Sequence, residues 1–158
     1  MDFTDLCVFA NLSMLEIWGG EYYSSNLFFL LETIGQNLTC LHLCHVEQLS
    51  CQSVLHLASH CPALREIKLE NCSWQLFGIE NINDEEKVGE SKMFAELTSL
   101  TILNSIPADI LVWMISNATH LKYLILDGEV FLDKDILQNI LEKNKLLQLE
   151  SFLVYNSR

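Results

Sequence analysis

The segment His60-Cys61-Pro62-Ala63-Leu64-Arg65-Glu66-Ile67-Lys68-Leu69-Glu70-Asn71-Cys72 decides the fold. Leu64, Ile67 and Leu69 are spaced apolar-x-x-apolar-x-apolar, and Glu66 to Glu70 alternates as a half-buried strand does. The same spacing lies 26 residues earlier at Leu38, Leu41 and Leu43, and a further 26 earlier at Leu12, Leu15 and Ile17. Two equal steps, each carried by three apolar positions, mark stacked structural units. Downstream, Leu121, Leu124 and Leu126 make a clean copy and Leu149, Phe152 and Val154 a looser one. Leu100, Leu103 and Ser105 read as a degenerate fourth copy, with a polar residue in the third place. The step from Leu64 to Leu100 exceeds the regular unit by 10 residues, which coincides with the polar stretch 83–92, expected to be an inserted loop.

A helical pattern follows most of these strands. Ser50 to Cys61 sets Val54, Leu55, Leu57 and Ala58 on one face, with Ser50 as the candidate N-cap. Asp133 to Lys145 spaces Ile136, Leu137, Ile140 and Leu141 as a buried stripe, with basic residues in its last turn. Asn26 to Ile34 and Ala108 to Ser116 behave likewise. Neither element buries its apolar face alone, so the units must stack. The prediction is an α/β fold spanning 1–158 as a single domain. It is a curved solenoid of about six repeats, with a parallel concave sheet and convex helices.

Residues 60–72 resemble the Cys-Pro-x-Leu-x-x-Leu-x-Leu-x-x-Cys unit of cysteine-containing leucine-rich repeats, the ribonuclease-inhibitor-like solenoid type found in F-box/leucine-rich-repeat proteins. Leu49 to Ser59 is similar to the helical half of that repeat. The other units keep the apolar spacing but carry Gly20, Val46, Ala108, Glu129 and Ser157 where the signature cysteine belongs. The resemblance implies the substrate-recognition part of an SCF-type ubiquitin-ligase receptor, within the ubiquitin conjugation pathway. A ligase adaptor would then be held by an F-box, which is not evident here. Ile106 to Ile115 is superficially similar to the opening of an F-box. It sits where the fourth convex helix belongs, however, and is read as that helix, with Pro107 near its first turn. The rival readings are a stand-alone interaction, scaffold or inhibitor protein and, more remotely, a metal-binding regulator.

Bulk properties narrow the class. Half the residues are hydrophobic and mean hydropathy is +0.23, which excludes a disordered chain. A net charge of −12 and a pI near 4.6 disfavour nucleic-acid partners. No apolar run approaches the roughly 20 residues that cross a bilayer, so no membrane partner is expected. Six cysteines without a basic leader read as reduced thiols in the cytoplasm or nucleus. The triplets at Asn11, Asn37, Asn71 and Asn117 then read as turns rather than glycan sites. The terminal units lack evident caps, so the chain is read either as part of a longer protein or as pairing through its ends. Phosphate loops, nucleophile elbows and His-Glu-x-x-His are all missing, and neither catalysis nor a cofactor is expected.

Between the buried leucines lie the residues expected on the concave face. They are Met14, Glu16 and Trp18; Cys40, His42 and Cys44; Glu66, Lys68 and Glu70; Ile102, Asn104 and Ile106; Tyr123, Ile125 and Asp127; and Ser151, Leu153 and Tyr155. Glu16, Trp18, His42, Glu66, Lys68, Glu70, Asn104, Tyr123, Asp127 and Tyr155 are the candidate partner-binding set. Trp18, Tyr123 and Tyr155 are the aromatic anchors, although Trp18 or Tyr155 equally suits a cover for an end of the sheet. Acidic excess on this face points to a protein target with a basic or mixed surface. Cys40-x-His42-x-Cys44 carries metal-ligand chemistry. Alternate strand side chains are about 7 Å apart, a fourth ligand is missing and Lys68 lies alongside, so these are read as ordinary surface thiols and no metal is expected.

Overall fold

The alternating segments form strands in the computed structural model, which describes residues 8–9, 11–19, 24–75, 93–127, 134–143 and 146–155. Strands β1 (Met14–Trp18), β2 (Cys40–Cys44), β3 (Glu66–Glu70), β4 (Ser99–Leu103), β5 (Tyr123–Asp127) and β6 (Ser151–Tyr155) pair in parallel, in chain order, within one sheet. Helix α1 (Ser24–Ile34) connects β1 to β2 and α2 (Cys51–His60) connects β2 to β3. Helices α3 (Ala108–Asn117) and α4 (Lys134–Lys143) connect β4 to β5 and β5 to β6. All four helices match the spans expected from periodicity to within two residues at either end. The expected loop at 83–92 lies outside the described residues.

Local chemistry sets the element ends. Ser50 caps α2 through a reciprocal pair: its Oγ accepts from the Ser53 N–H at 3.3 Å, and Ser53 Oγ accepts from the Ser50 N–H at 3.2 Å. Pro107 occupies the N-cap of α3 with a φ of −57°. A turn precedes every strand. The N–H groups of Leu12, Leu38, Leu64, Leu97, Leu121 and Leu149 donate to the carbonyls three residues back, at 2.9 to 3.2 Å. One such turn starts at Gly35, where a Cβ would lie 2.7 Å from the His60 carbonyl oxygen, so glycine permits α2 to end against it. After β1 to β4 the chain bends through Gly19, His45, Asn71 and Asn104, with φ of 68°, 56°, 50° and 133°. Glycine tolerates that region freely, and asparagine and histidine enter it more readily than most residues.

One face of the sheet makes the core. Leu15, Ile17, Leu41, Leu43, Ile67, Leu69, Leu100, Ile102, Leu124 and Leu126 are buried with Leu30, Leu31, Ile34, Leu57, Ile110 and Leu111 of the helices. Cys51, Cys61 and Cys72 are buried in the same layer. Cys72 Sγ donates to the Leu43 carbonyl at 3.3 Å, tying the exit of β3 to β2. Burial pushes the Cys61 thiol up to about 12, which leaves it inert. At the β6 edge the corresponding positions Phe152 and Val154 are 44% and 49% exposed, beside an apolar cavity lined in part by Leu137, Ile140 and Leu141. Leu141, expected on the buried stripe of α4, is accordingly exposed. No described helix is long and apolar enough to cross a membrane.

The register of the fourth strand differs from expectation. Leu100 pairs with Ile67, Ile102 with Leu69 and Ser99 with Glu66. The apolar triplet is therefore Leu97, Leu100 and Ile102, all buried, and not Leu100, Leu103 and Ser105. The alternative would place Ile102 in solvent and Ser105 in the core, an unfavourable exchange on both counts. Asn104 is corrected accordingly: it is the bend residue after β4 and not a member of the outward face. Ile102 and Ile106 are buried, while Ser99, Thr101 and Leu103 take the outward positions. The insertion measured from Leu64 to Leu97 is 7 residues beyond the regular unit, not 10. This register predicts that Ile102→Ala lowers the unfolding free energy by about 2–5 kcal/mol, with Leu103→Ala clearly milder. Chemical denaturation of the two variants checks it, and equal losses would contradict the register.

Candidate functional site

The solvent-facing side of the sheet is ordered into three rows by pairing. The first row runs Met14, Cys40, Glu66, Ser99, Tyr123 and Ser151 across the six strands. The second runs Glu16, His42, Lys68, Thr101, Ile125 and Leu153. The third runs Trp18, Cys44, Glu70, Leu103, Asp127 and Tyr155. Nine of the ten expected site residues lie in these rows, with Asn104 the exception. Strands β1 to β3 contribute Glu16, His42, Glu66, Lys68 and Glu70, whereas β4 to β6 contribute mostly neutral side chains with Asp127. The face is polar and charged across β1 to β3, with Met14 and Trp18 at its edge, and mostly uncharged across β4 to β6.

His42 is the hub of the polar end. Its Nε2 lies 3.0 Å from Glu66 Oε1 and 3.3 Å from Cys40 Sγ, and its Nδ1 lies 4.0 Å from Glu16 Oε1. Burial, then the Glu66 and Glu16 carboxylates, push the Cys40 thiol up. Lys68 turns away from this group, its Nζ 2.6 Å from Glu70 Oε2. Their shared hydrogen bond raises the Lys68 ammonium and lowers the Glu70 carboxyl, against the opposing effect of burial. Cys44, expected at the surface, is buried, and its thiol is pushed up by burial and then by Glu70, with Lys68 opposing. Cys44 therefore takes no part in the His42 group.

Aromatic side chains mark both edges of the face. Trp18 is 61% exposed and tilts toward the His45 ring at a centroid distance of 6.3 Å. Tyr155 is exposed on β6. Tyr123 Oη donates to Glu150 Oε2 at 2.9 Å, and Lys122 Nζ donates to Glu150 Oε1 at 3.0 Å. Those two donors hold the Glu150 carboxyl low, and Glu150 in turn raises Tyr123 and Lys122. Reading the strands alone misses Lys122 and Glu150. They occupy the same place in successive repeats, immediately before the strand, which is the signal that identifies them as neighbours.

A second cluster lies on the helices. His56 Nε2 is 3.3 Å from Glu32 Oε1, within ion-pair reach but forming no hydrogen bond. The His56 ring stacks on Phe28 at 4.4 Å and on His60 at 4.1 Å. Burial, then the neighbouring His60, lowers His56, with the Glu32 carboxylate and the Phe28 backbone carbonyl opposing.

Cys40, His42 and Glu16 lie in the order of a thiol, a base and an orienting acid, but the electrostatics oppose nucleophilic chemistry. An active cysteine needs its thiolate stabilised, whereas burial and two carboxylates destabilise this one. The arrangement is suited to recognition through charge and aromatic contact or to holding a cation. No family model matches the chain, and no curated protein matches its sequence.

Two of these groups predict an acid-sensitive stability. His56 is held below 6.5, so its contribution is complete above 6.5 and is lost as pH falls through the folded-state value. Glu70 is held below 4.5, so its contribution is complete above 4.5 and is lost at still lower pH. His56→Leu should flatten the dependence of unfolding free energy on pH just below 6.5. Glu70→Gln should flatten it only below 4.5, with a cost at neutral pH of about 0.2–1 kcal/mol for a pair this accessible. Denaturation series across pH check both, and slopes identical to those of the unsubstituted chain would contradict the assignments.

Proposed function

We propose that this chain is a leucine-rich-repeat solenoid and a protein-recognition module, with its concave face the rows from Met14 to Tyr155. The observation that carries the reading is the unbroken register across six parallel strands, which joins side chains from every repeat into one surface. Such a surface suits an extended or folded protein partner better than a small molecule, which requires a concave pocket with convergent polar groups. Trp18, Tyr123 and Tyr155 offer large contact areas at low entropic cost, and they flank the charged groups. Glu16, Glu66, Glu70 and Asp127 against Lys68 favour a target with a basic or mixed surface.

Through its resemblance to F-box/leucine-rich-repeat proteins, the module would serve as the substrate-recognition part of an SCF-type ubiquitin-ligase receptor in the cytoplasm or nucleus. Its own role is then binding, and ubiquitin transfer belongs to other subunits. The raised Cys40 thiol supports binding over catalysis.

The test is quantitative affinity capture with the unsubstituted chain, Trp18→Ala/Tyr123→Ala and Phe29→Ala. Phe29 is exposed on α1 and so serves as a control. The double variant is expected to lose at least tenfold in recovery of the proteins captured, with an unchanged circular dichroism spectrum, while Phe29→Ala retains them. Recovery that persists in the double variant, or falls equally with Phe29→Ala, would contradict the concave-face reading.

A further inference from the structure

We infer that Cys40, His42 and Glu66 form a divalent transition-metal site, suited to Zn²⁺, with Glu16 as its orienting partner. The three candidate ligand atoms come from two adjacent strands and lie within 4.8 Å of one another. With Zn–S near 2.3 Å and Zn–N and Zn–O near 2.0–2.1 Å, a tetrahedral site needs a sulfur–nitrogen edge of about 3.5 Å and a nitrogen–oxygen edge of about 3.3 Å. The observed edges are 3.3 Å from Cys40 Sγ to His42 Nε2 and 3.0 Å from His42 Nε2 to Glu66 Oε1. Small side-chain adjustments open these edges to the metal values. The third edge, from Cys40 Sγ to the Glu66 carboxylate, lies within 4.8 Å, against about 3.5 Å in a tetrahedral site.

The surroundings place a carboxylate near the nitrogen a metal-bound histidine would leave free, one side-chain adjustment short of hydrogen-bonding distance. A ligating imidazole normally gives its other N–H to a carboxylate, which fixes the tautomer and strengthens the ligand. Glu16 Oε1 stands 4.0 Å from His42 Nδ1, on the side opposite the ligands. Lys68, the cation that register places beside His42, is engaged by Glu70 at 2.6 Å. A dication offsets two of the three negative charges that Glu16, Glu66 and a Cys40 thiolate would otherwise accumulate. The ion's attraction for the Cys40 thiolate then outweighs the opposition of the carboxylates. Binding converts the Cys40 thiol to a metal thiolate and releases its proton to solvent. Glu66 is exposed, which leaves the remaining coordination position to water.

Glu32, His56 and His60 form the other three-residue group of this kind among the described residues. Their geometry is poorer. The two imidazoles stack at 4.1 Å and 24°, so their in-plane lone pairs run nearly side by side and do not converge on one ion. His60 Nδ1 is also taken up by Ser59 Oγ and the His56 carbonyl.

The experiment is a Co²⁺ titration of the full chain, followed by thiolate-to-cobalt charge-transfer absorption, with Zn²⁺ displacement and equilibrium dialysis for stoichiometry. The expected result is about one ion per chain, a charge-transfer band abolished in Cys40→Ser, and Zn²⁺ affinity at least tenfold weaker in Glu66→Gln. Glu16→Gln should keep the band and weaken affinity by about 10- to 100-fold, as expected for an orienting residue. His56→Ala should behave as the unsubstituted chain. Glu66 is exposed, so its variant reports on the site even if Cys40→Ser were to fold poorly. No ion bound by the unsubstituted chain, a band that survives Cys40→Ser, or binding lost instead in His56→Ala would overturn the proposal. This measurement uses no protein partner, so it stands or falls independently of partner recognition.

Discussion

Two backbone N–H groups converging on one carbonyl clamp each strand to the next. The Ser13 carbonyl accepts from Thr39 and Cys40, the Thr39 carbonyl from Arg65 and Glu66, and the Arg65 carbonyl from Thr98 and Ser99. The Thr98 carbonyl accepts from Lys122 and Tyr123, and the Lys122 carbonyl from Glu150 and Ser151. Because a one-residue slip would turn every side chain to the opposite face, a clamp at the strand entry determines what is core and what is surface. Thr39 and Thr98 strengthen it with their hydroxyls, which donate to Ser13 and Arg65 at 3.0 and 3.1 Å. The turn before each strand, and the bend after each of β1 to β4, present the clamp at the same place in successive repeats.

Chemistry on the solvent-facing side depends on that register. Cys40 and Glu66 are neighbours because β2 and β3 pair without offset, and Glu16 reaches His42 for the same reason between β1 and β2. Competition among charges then sorts the side chains. Lys68 has Glu70 within hydrogen-bonding reach and leaves His42 to Glu66 and Cys40. Buried Cys61 and Cys72 answer to the core instead: one is an inert thiol and the other ties β3 to the β2 carbonyl of Leu43.

Much of this was legible before the structure. Leu38, Leu41 and Leu43 repeat at equal distance from Leu12 and Leu64, and that repetition located three strands and implied the helices between them. Ser50 was recognisable as a cap because a serine precedes an apolar helical face. The fourth strand was not legible, since Leu100 satisfies two alignments and the extra residues after β3 remove the regular step that would choose between them. Burial of Ile102 makes the choice, and it moves Asn104 off the face. The His42 group was only half visible. The 26-residue step places Glu66 beside Cys40, but the spacing of alternate residues along a strand conceals how far Cys40 and His42 lean together. Nor does any pattern show that Cys44 is covered while Cys40 stays accessible.

One uninterrupted register through six strands is the central claim, and cross-strand nuclear Overhauser contacts in the labelled chain test it most directly. The account predicts that Ile67 contacts Leu41 on one side and Leu100 on the other, and that Leu100 in turn contacts Leu124. A contact from Ile67 to Leu103 in place of Leu100 would contradict it.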